Sequence, residues 1–139
     1  KFPIHYAAMS DNLLILKLII EAGANPKATD LSGKPATFSA LCSNKYRYPI
    51  MKMLLDCGVD PNAIDEDTNT TILSPLLLNP DPNEDDLLLI NLILEKGGDL
   101  NFVTNSGLTL YKLVTVCCHP KIQEIVNEFL KNHPEIELI

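Results

Sequence analysis

The sequence predicts an all-α solenoid of about four stacked helix-turn-helix repeats with short β-turn fingers. Three observations carry this. Three stretches align in register: EAGANPKATD ending at Asp30, DCGVDPNAID ending at Asp65, and EKGGDLNFVT ending at Thr104. An apolar, helix-like run precedes each: LLILKLII, IMKMLL and LLLINLIL. The glycine keeps its place in all three, 35 residues separating Gly23 from Gly58 and 39 separating Gly58 from Gly97. Such a period leaves room for two helices between turns. One unit of that size cannot bury its own apolar face, whereas stacked units share a core.

Each element follows from its residues. Gly23 ends the first apolar helix, where a left-handed residue is needed and a Cβ would clash. Asn25-Pro26 and Asp60-Pro61 then turn the chain, since proline fixes φ and Asn or Asp bonds its own backbone. A second turn signal follows: Asp30-Leu31-Ser32-Gly33 in one unit, Thr104-Asn105-Ser106-Gly107 in another. In the third unit, Ser74-Pro75 reads as an N-cap followed by proline at the first helical position. This predicts a late, short helix ending near Asn79-Pro80. Pro80 to Asn83 is then an inserted loop. Asn83 is expected to cap the next helix, with Glu84, Asp85 and Asp86 complementing its positive end. A last helix is expected from about Lys121 to Asn132, closed by His133-Pro134. Its polar outer face (Gln123, Glu124, Asn127, Glu128) suits a terminal cap. The tail from Glu135 carries no further repeat signal.

The pattern resembles the ankyrin-repeat family, whose units read Asp-x-x-Gly-x-Thr-Pro-Leu-His-x-Ala, then a Leu- and Val-rich helix, then Gly-Ala-Asp-x-Asn. Repeat one keeps Pro3-Ile4-His5-Tyr6-Ala7-Ala8 and Gly23-Ala24-Asn25-Pro26. Repeat two keeps Asp30, Gly33, Ala40, Leu54-Leu55 and Gly58-Val59-Asp60-Pro61-Asn62-Ala63, with Pro35-Ala36-Thr37-Phe38 replacing Thr-Pro-Leu-His. Repeat three keeps Asp65, Thr70 and Gly97-Gly98-Asp99-Leu100-Asn101, with Thr68 where glycine usually sits. Repeat four keeps Gly107 and Thr109. Ankyrin repeats run about 33 residues, so the glycine spacings imply insertions of about two and about six. The expected organisation is a single domain with repeats at 1–29, 30–64, 65–103 and 104–139, the first partial and the last a cap. Because repeat one lacks its opening turn, more chain is expected before Lys1.

The resemblance implies an L-shaped stack that binds a protein partner with its turn fingers and with the concave face of its first helices. Carried over residue by residue, the finger positions are Leu31, Ser32 and Lys34; Glu66, Asp67 and Asn69; Asn105, Ser106 and Leu108. The first-helix positions are Met9 and Ser10; Cys42 and Ser43; Leu77 and Leu78; Val116 and Cys117. Exposed apolar residues among them, Leu31 and Leu108 above all, fit a contact role. For Leu77 and Leu78, contact and burial are equally open. Glu66 and Asp67, beside Asp60 and Asp65, give the middle finger a negative field, which favours a partner with a basic patch. The resemblance also implies that His5 braces the stack through backbone bonds, and that Asn62 and Asn101 occupy the turn position that family hydroxylases modify.

Composition narrows the function further. The 139 residues suit one domain. A formal net charge of -7 and a pI near 4.8 argue against nucleic acid as a partner, because phosphate binding needs a basic face. The densest apolar run, Leu87 to Leu94, is broken by Asn91 and falls short of a membrane span. The N-terminus does not read as a signal peptide. Cys42, Cys57, Cys117 and Cys118 lack C-x-x-C spacing and read as reduced thiols, so a cytoplasmic setting is expected. Frequent Asn, Ile and Lys with degenerate repeats is similar to ankyrin proteins of AT-rich genomes. Those include secreted effectors of intracellular bacteria, which would act in a host cytoplasm, and proteins of certain large viruses.

Three constellations invite a chemical reading. Cys117-Cys118-His119 offers thiols and an imidazole, but three consecutive residues do not converge on one zinc ion. Asp81 to Asp86 begins like a calcium loop, yet Asp86 and Leu92 stand where glycine and glutamate are needed. Asp65-Glu66-Asp67 mimics paired carboxylates but reads better as a solvated acidic finger. Neither a nucleophile-base motif nor a phosphate loop is visible. Lys45-Tyr46-Arg47-Tyr48 is expected to be a solvated loop with partly packed tyrosines, a second contact site being the other reading. The expectation is therefore a monomeric protein-interaction module that is not an enzyme, has no cofactor or metal, and binds no membrane. The alternative is a substrate-recruiting or regulatory segment of a larger enzyme or secreted effector.

Overall fold

The computed structural model describes residues 2–10, 12–43 and 46–138. Among them run eight helices: α1 (Pro3–Met9), α2 (Leu13–Glu21), α3 (Ala36–Ala40), α4 (Arg47–Asp56), α5 (Leu73–Leu77), α6 (Glu84–Glu95), α7 (Leu110–Cys117) and α8 (Pro120–Asn132). They pair in chain order, and the pairs stack. Among the first helices, α1 packs on α3 and α5 on α7; the second helices form a row in which α2 meets α4, α4 meets α6 and α6 meets α8. Apart from these helices, the described residues form only isolated bridges, Asp65 with Thr70 and Val103 with Thr109.

The repeat period is visible in the core. Leu16, Met51 and Ile90 stand at the same distance before Gly23, Gly58 and Gly97, and all three are fully buried. Leu54 and Ile93 share a second such position. Ala7, Ala8, Ala36 and Ala40 keep α1 and α3 slim, so the two short helices can lie close. Trimming a residue such as Met51 to alanine would cost about 2–5 kcal/mol, through lost transfer energy plus a cavity. The first repeat forms one end of the described stack. Ile15 is 42% exposed there, although its counterparts Ile50 and Leu89 are fully buried.

The turns close as their residues require. Gly58 has φ 90°, and the amides of Gly58 and Val59 reach back to the carbonyls of Leu55 and Leu54. Asn25, Asp60 and Asp99 each accept the backbone N–H two residues ahead, at 2.9, 2.8 and 2.8 Å. Asn62 Nδ2 donates to the Gly97 carbonyl at 2.9 Å, and Asn101 Nδ2 donates to the Glu137 carbonyl at 2.7 Å. The C-terminal tail thus occupies, against the third repeat's turn, the place that a following turn holds elsewhere. His5 is fully buried, its Nε2 bonding the Lys34 carbonyl at 2.8 Å while Nδ1 accepts the Phe2 N–H at 3.2 Å. This ties the first repeat to the first finger.

Three expectations about local structure need correction. α5 begins at Leu73 rather than after Ser74, and the Ser74 hydroxyl is buried without a hydrogen-bond partner. Pro75 still falls in the first turn, where a missing N–H costs no intrahelical bond. Arg47 and Tyr48 lie in α4 instead of a loop, and Lys45 lies outside the described residues. The third unit's finger is one residue longer than the others. Asp30 donates to the Lys34 carbonyl and Thr104 to that of Leu108, but Asp65 donates to that of Thr70. Asn69, with φ 52°, therefore takes the left-handed role of Gly33 and Gly107, and Thr68 does not.

Candidate protein-interaction site

The three fingers are bonded to one another. The Glu66 amide donates to the Ser32 carbonyl at 2.9 Å, and the Ser32 hydroxyl donates to the Asp67 carboxylate. Lys34 Nζ lies 3.8 Å from Asp65 Oδ2. Asn69 Nδ2 donates to Asn105 Oδ1 at 3.0 Å, and Asn105 Nδ2 donates to the Thr68 carbonyl at 3.1 Å. Ser106 shares a 2.7 Å hydroxyl contact with Thr104. Ser32, Lys34, Asp67, Asn69 and Asn105, carried over as partner contacts, thus hold the finger row together. Their side chains reach neighbours 31 to 37 positions away, about one repeat, so a single-repeat reading does not reveal the pairing.

The row leaves apolar and acidic side chains to solvent beside the exposed Thr68, Asn69, Asn105 and Ser106. Leu31 at the first finger tip is 102% exposed, and Leu108 is 42% exposed. Glu66 and Asp67 are exposed, as is Asp60 in the preceding turn. Asp65 is buried beside Lys34, so the negative field is narrower than the sequence suggests. Partial burial acts to raise the Asp30 pKa, but backbone N–H bonds from Lys34 and Ser32 and the Lys34 charge outweigh it. The net effect holds Asp30 below the usual carboxylate value.

The first-helix positions divide. Met9, Cys42, Leu78 and Val116 are exposed, and Ser10 is half-buried with its hydroxyl on the Ala7 carbonyl at 2.7 Å. Ser43 and Leu77 are buried, at 2% and 0% exposure, and neither offers a surface. For Leu77 the cause is the longer middle finger. Counted from Asn69, as Cys42 is counted from Gly33 and Val116 from Gly107, the equivalent residue is Leu78. For Ser43 the cause is its packing against the first repeat, where its hydroxyl donates to the Ser10 carbonyl at 3.3 Å. The side chain of Cys117 lies outside the described residues.

The acidic start of α6 forms a link between repeats. Asn83 Oδ1 accepts the Asp86 N–H at 2.8 Å, and the Asp86 carboxylate accepts the Asn83 N–H at 2.9 Å, a reciprocal cap. Asp86 is buried and also binds Asn79 Nδ2 and the guanidinium of Arg47. Arg47 bonds Asp85 as well, Nε to Oδ2 at 3.0 Å. Burial works against the Arg47 charge, but these two carboxylates outweigh it and raise its pKa above the ordinary arginine value. Tyr46 and Tyr48 are half-buried against the core. Elsewhere, His119 Nδ1 accepts the Lys121 N–H at 3.1 Å and caps α8, and Cys118 is buried. Among the described residues, no three His, Cys, Asp or Glu side chains gather as a metal site would need. Among the same residues, no helix is long and apolar enough to cross a membrane.

Stacked helix pairs with a row of bonded turn fingers define a repeat solenoid of the kind that presents a binding surface. Comparison with known proteins agrees. A family model described as "Ankyrin repeat" matches residues 1–31. "Ankyrin repeat and SOCS box protein 6" of Homo sapiens is 25% identical over 111 residues, which are 80% of this chain and 26% of that protein. The Pongo abelii protein of the same name matches to the same extent. The chain therefore spans about a quarter of the length of these curated relatives. A crystal structure of an ankyrin repeat domain from Acinetobacter baumannii AYE superposes with a TM-score of 0.77 at 20% identity, covering 93% of this chain and 64% of that one. The chain thus has the fold of an ankyrin-repeat domain, and its first 31 residues match the ankyrin-repeat model. Repeats of this family are in general protein-protein interaction modules.

Proposed function

We propose that this chain binds a partner protein along the finger row and the adjoining first-helix positions. The observation that carries the reading is Leu31, fully exposed on a finger that three repeats' worth of bonds hold in place. An apolar side chain on a rigid support loses little conformational entropy on binding, which suits it as an anchor. Leu108, Met9, Leu78, Cys42 and Val116 add exposed surface, and Glu66 and Asp67 add the negative charge that a basic patch would complement. Binding of this kind weakens as salt rises.

The test is affinity capture from cell lysate by the native chain and by a Leu31→Glu, Glu66→Lys, Leu108→Glu variant of matched circular dichroism. The reading expects a protein retained by the native chain and lost by the variant. Equal retention by both would refute the finger site.

A second reading is favoured by the chain's share of its relatives. It spans about a quarter of proteins whose name couples ankyrin repeats to a SOCS box. On this reading the chain is the recruiting or regulatory segment of a longer protein, and the finger row holds that protein's target.

A further inference from the structure

The row of second helices carries a feature unrelated to the fingers. On α6, Glu84, Leu87, Leu88 and Asn91 are spaced three and four apart and share one helix face. Ile125 and Glu128 of α8 stand opposite, and the six residues line an open groove of about 390 Å³. Leu87 and Ile125 are half-buried against the core, which fixes the floor. Leu88 is 55% exposed, which leaves an apolar wall open to solvent.

The sister helices differ at one position. Lys17 of α2, Lys52 of α4 and Asn91 of α6 stand at the same distance before Gly23, Gly58 and Gly97. Lys17 and Lys52 line the depressions along their own helices. A lysine there lays its methylene stem over apolar surface and places a cation at the rim. At α6 the stem is missing, and the rim carries the exposed carboxylates of Glu84 and Glu128 instead.

We infer that the groove between α6 and α8 docks an amphipathic helix of a partner protein, with an apolar side chain seated beside Leu88 and flanking lysines or arginines facing Glu84 and Glu128. The apolar floor supplies the anchor site, and the charge of the rim selects a cationic occupant. This surface goes beyond the finger reading and does not depend on it, because none of its six residues belongs to the finger row.

The test uses fluorescence anisotropy with a labelled amphipathic peptide bearing a leucine face and lysine flanks, and a second peptide with glutamate in place of each lysine. Saturable binding of the lysine peptide is expected, roughly tenfold weaker with Leu88→Glu and about threefold weaker with the Glu84→Gln, Glu128→Gln pair. Leu31→Glu should leave it unchanged, and the glutamate peptide should not bind. Asn91→Lys, which restores the lysine of the sister helices, should abolish binding without lowering the melting temperature. Absence of saturable binding, or equal affinity for the native chain and the Leu88→Glu and Asn91→Lys variants, would overturn the inference.

Discussion

Asn62 holds Asp99: its side-chain oxygen accepts the Asp99 N–H at 2.7 Å while its amide donates to the Gly97 carbonyl at 2.9 Å. One side chain thereby satisfies two backbone groups in the next repeat's turn. In the first repeat, the equivalent Lys27 instead lays its side chain over Gly58. Replacing Asn62 by alanine should lower stability by about 1–2 kcal/mol, the sum of two partly solvated bonds. Asn62→Asp keeps the acceptor and should lose about half as much. Urea denaturation checks both.

Arg47 and Asp86 make a stronger link, because Asp86 is buried. Arg47→Met leaves that carboxylate without its cation and should cost about 2–4 kcal/mol. Arg47→Lys should not restore the loss. The guanidinium reaches Asp85 and Asp86 together, which a single ammonium cannot reproduce. Comparing the two variants by thermal melting separates charge from geometry.

Asn69 is the non-glycine residue with a left-handed backbone among those described. Asn69→Val should destabilise by about 1–2 kcal/mol, since a β-branched side chain resists that conformation. Asn69→Gly relieves the backbone but loses the bond to Asn105, so it should stay within about 1 kcal/mol of the native chain. Valine equal to glycine in a denaturation midpoint would contradict this.

These residues mark how far the sequence could be read. Gly23, Gly58 and Gly97 announce helix ends because a left-handed residue is a local requirement. Asn83 announces a cap for the same reason. Leu77 and Leu78 could not be separated, because the middle finger's extra residue shifts the helix by one position and Thr68 conceals it. The Arg47 link joins residues 38 and 39 positions apart, and the finger bonds join residues a repeat apart. No local pattern encodes such pairs. Ser32, Asn69 and Asn105, which the resemblance places at partner-contact positions, therefore also bond to neighbouring fingers, which no local pattern announces.

Asp30 gives the fold a pH dependence of known sign. Its folded pKa lies below the ordinary carboxylate value, so its contribution is full above the unfolded pKa and fades as pH falls through the folded one. Asp30→Asn should therefore be less stable than the native chain at neutral pH, with the difference shrinking as pH falls through and below the ordinary carboxylate range. A difference that is constant across that range would show that the charge of Asp30 plays no part.

A partner protein is proposed to bind along the finger row. Hydrogen-deuterium exchange of the chain, alone and with the captured protein, tests it most directly. Slowed exchange on binding is expected at 30–34, 65–70 and 104–108. Protection confined to α6 and α8, or none at the fingers, would contradict it.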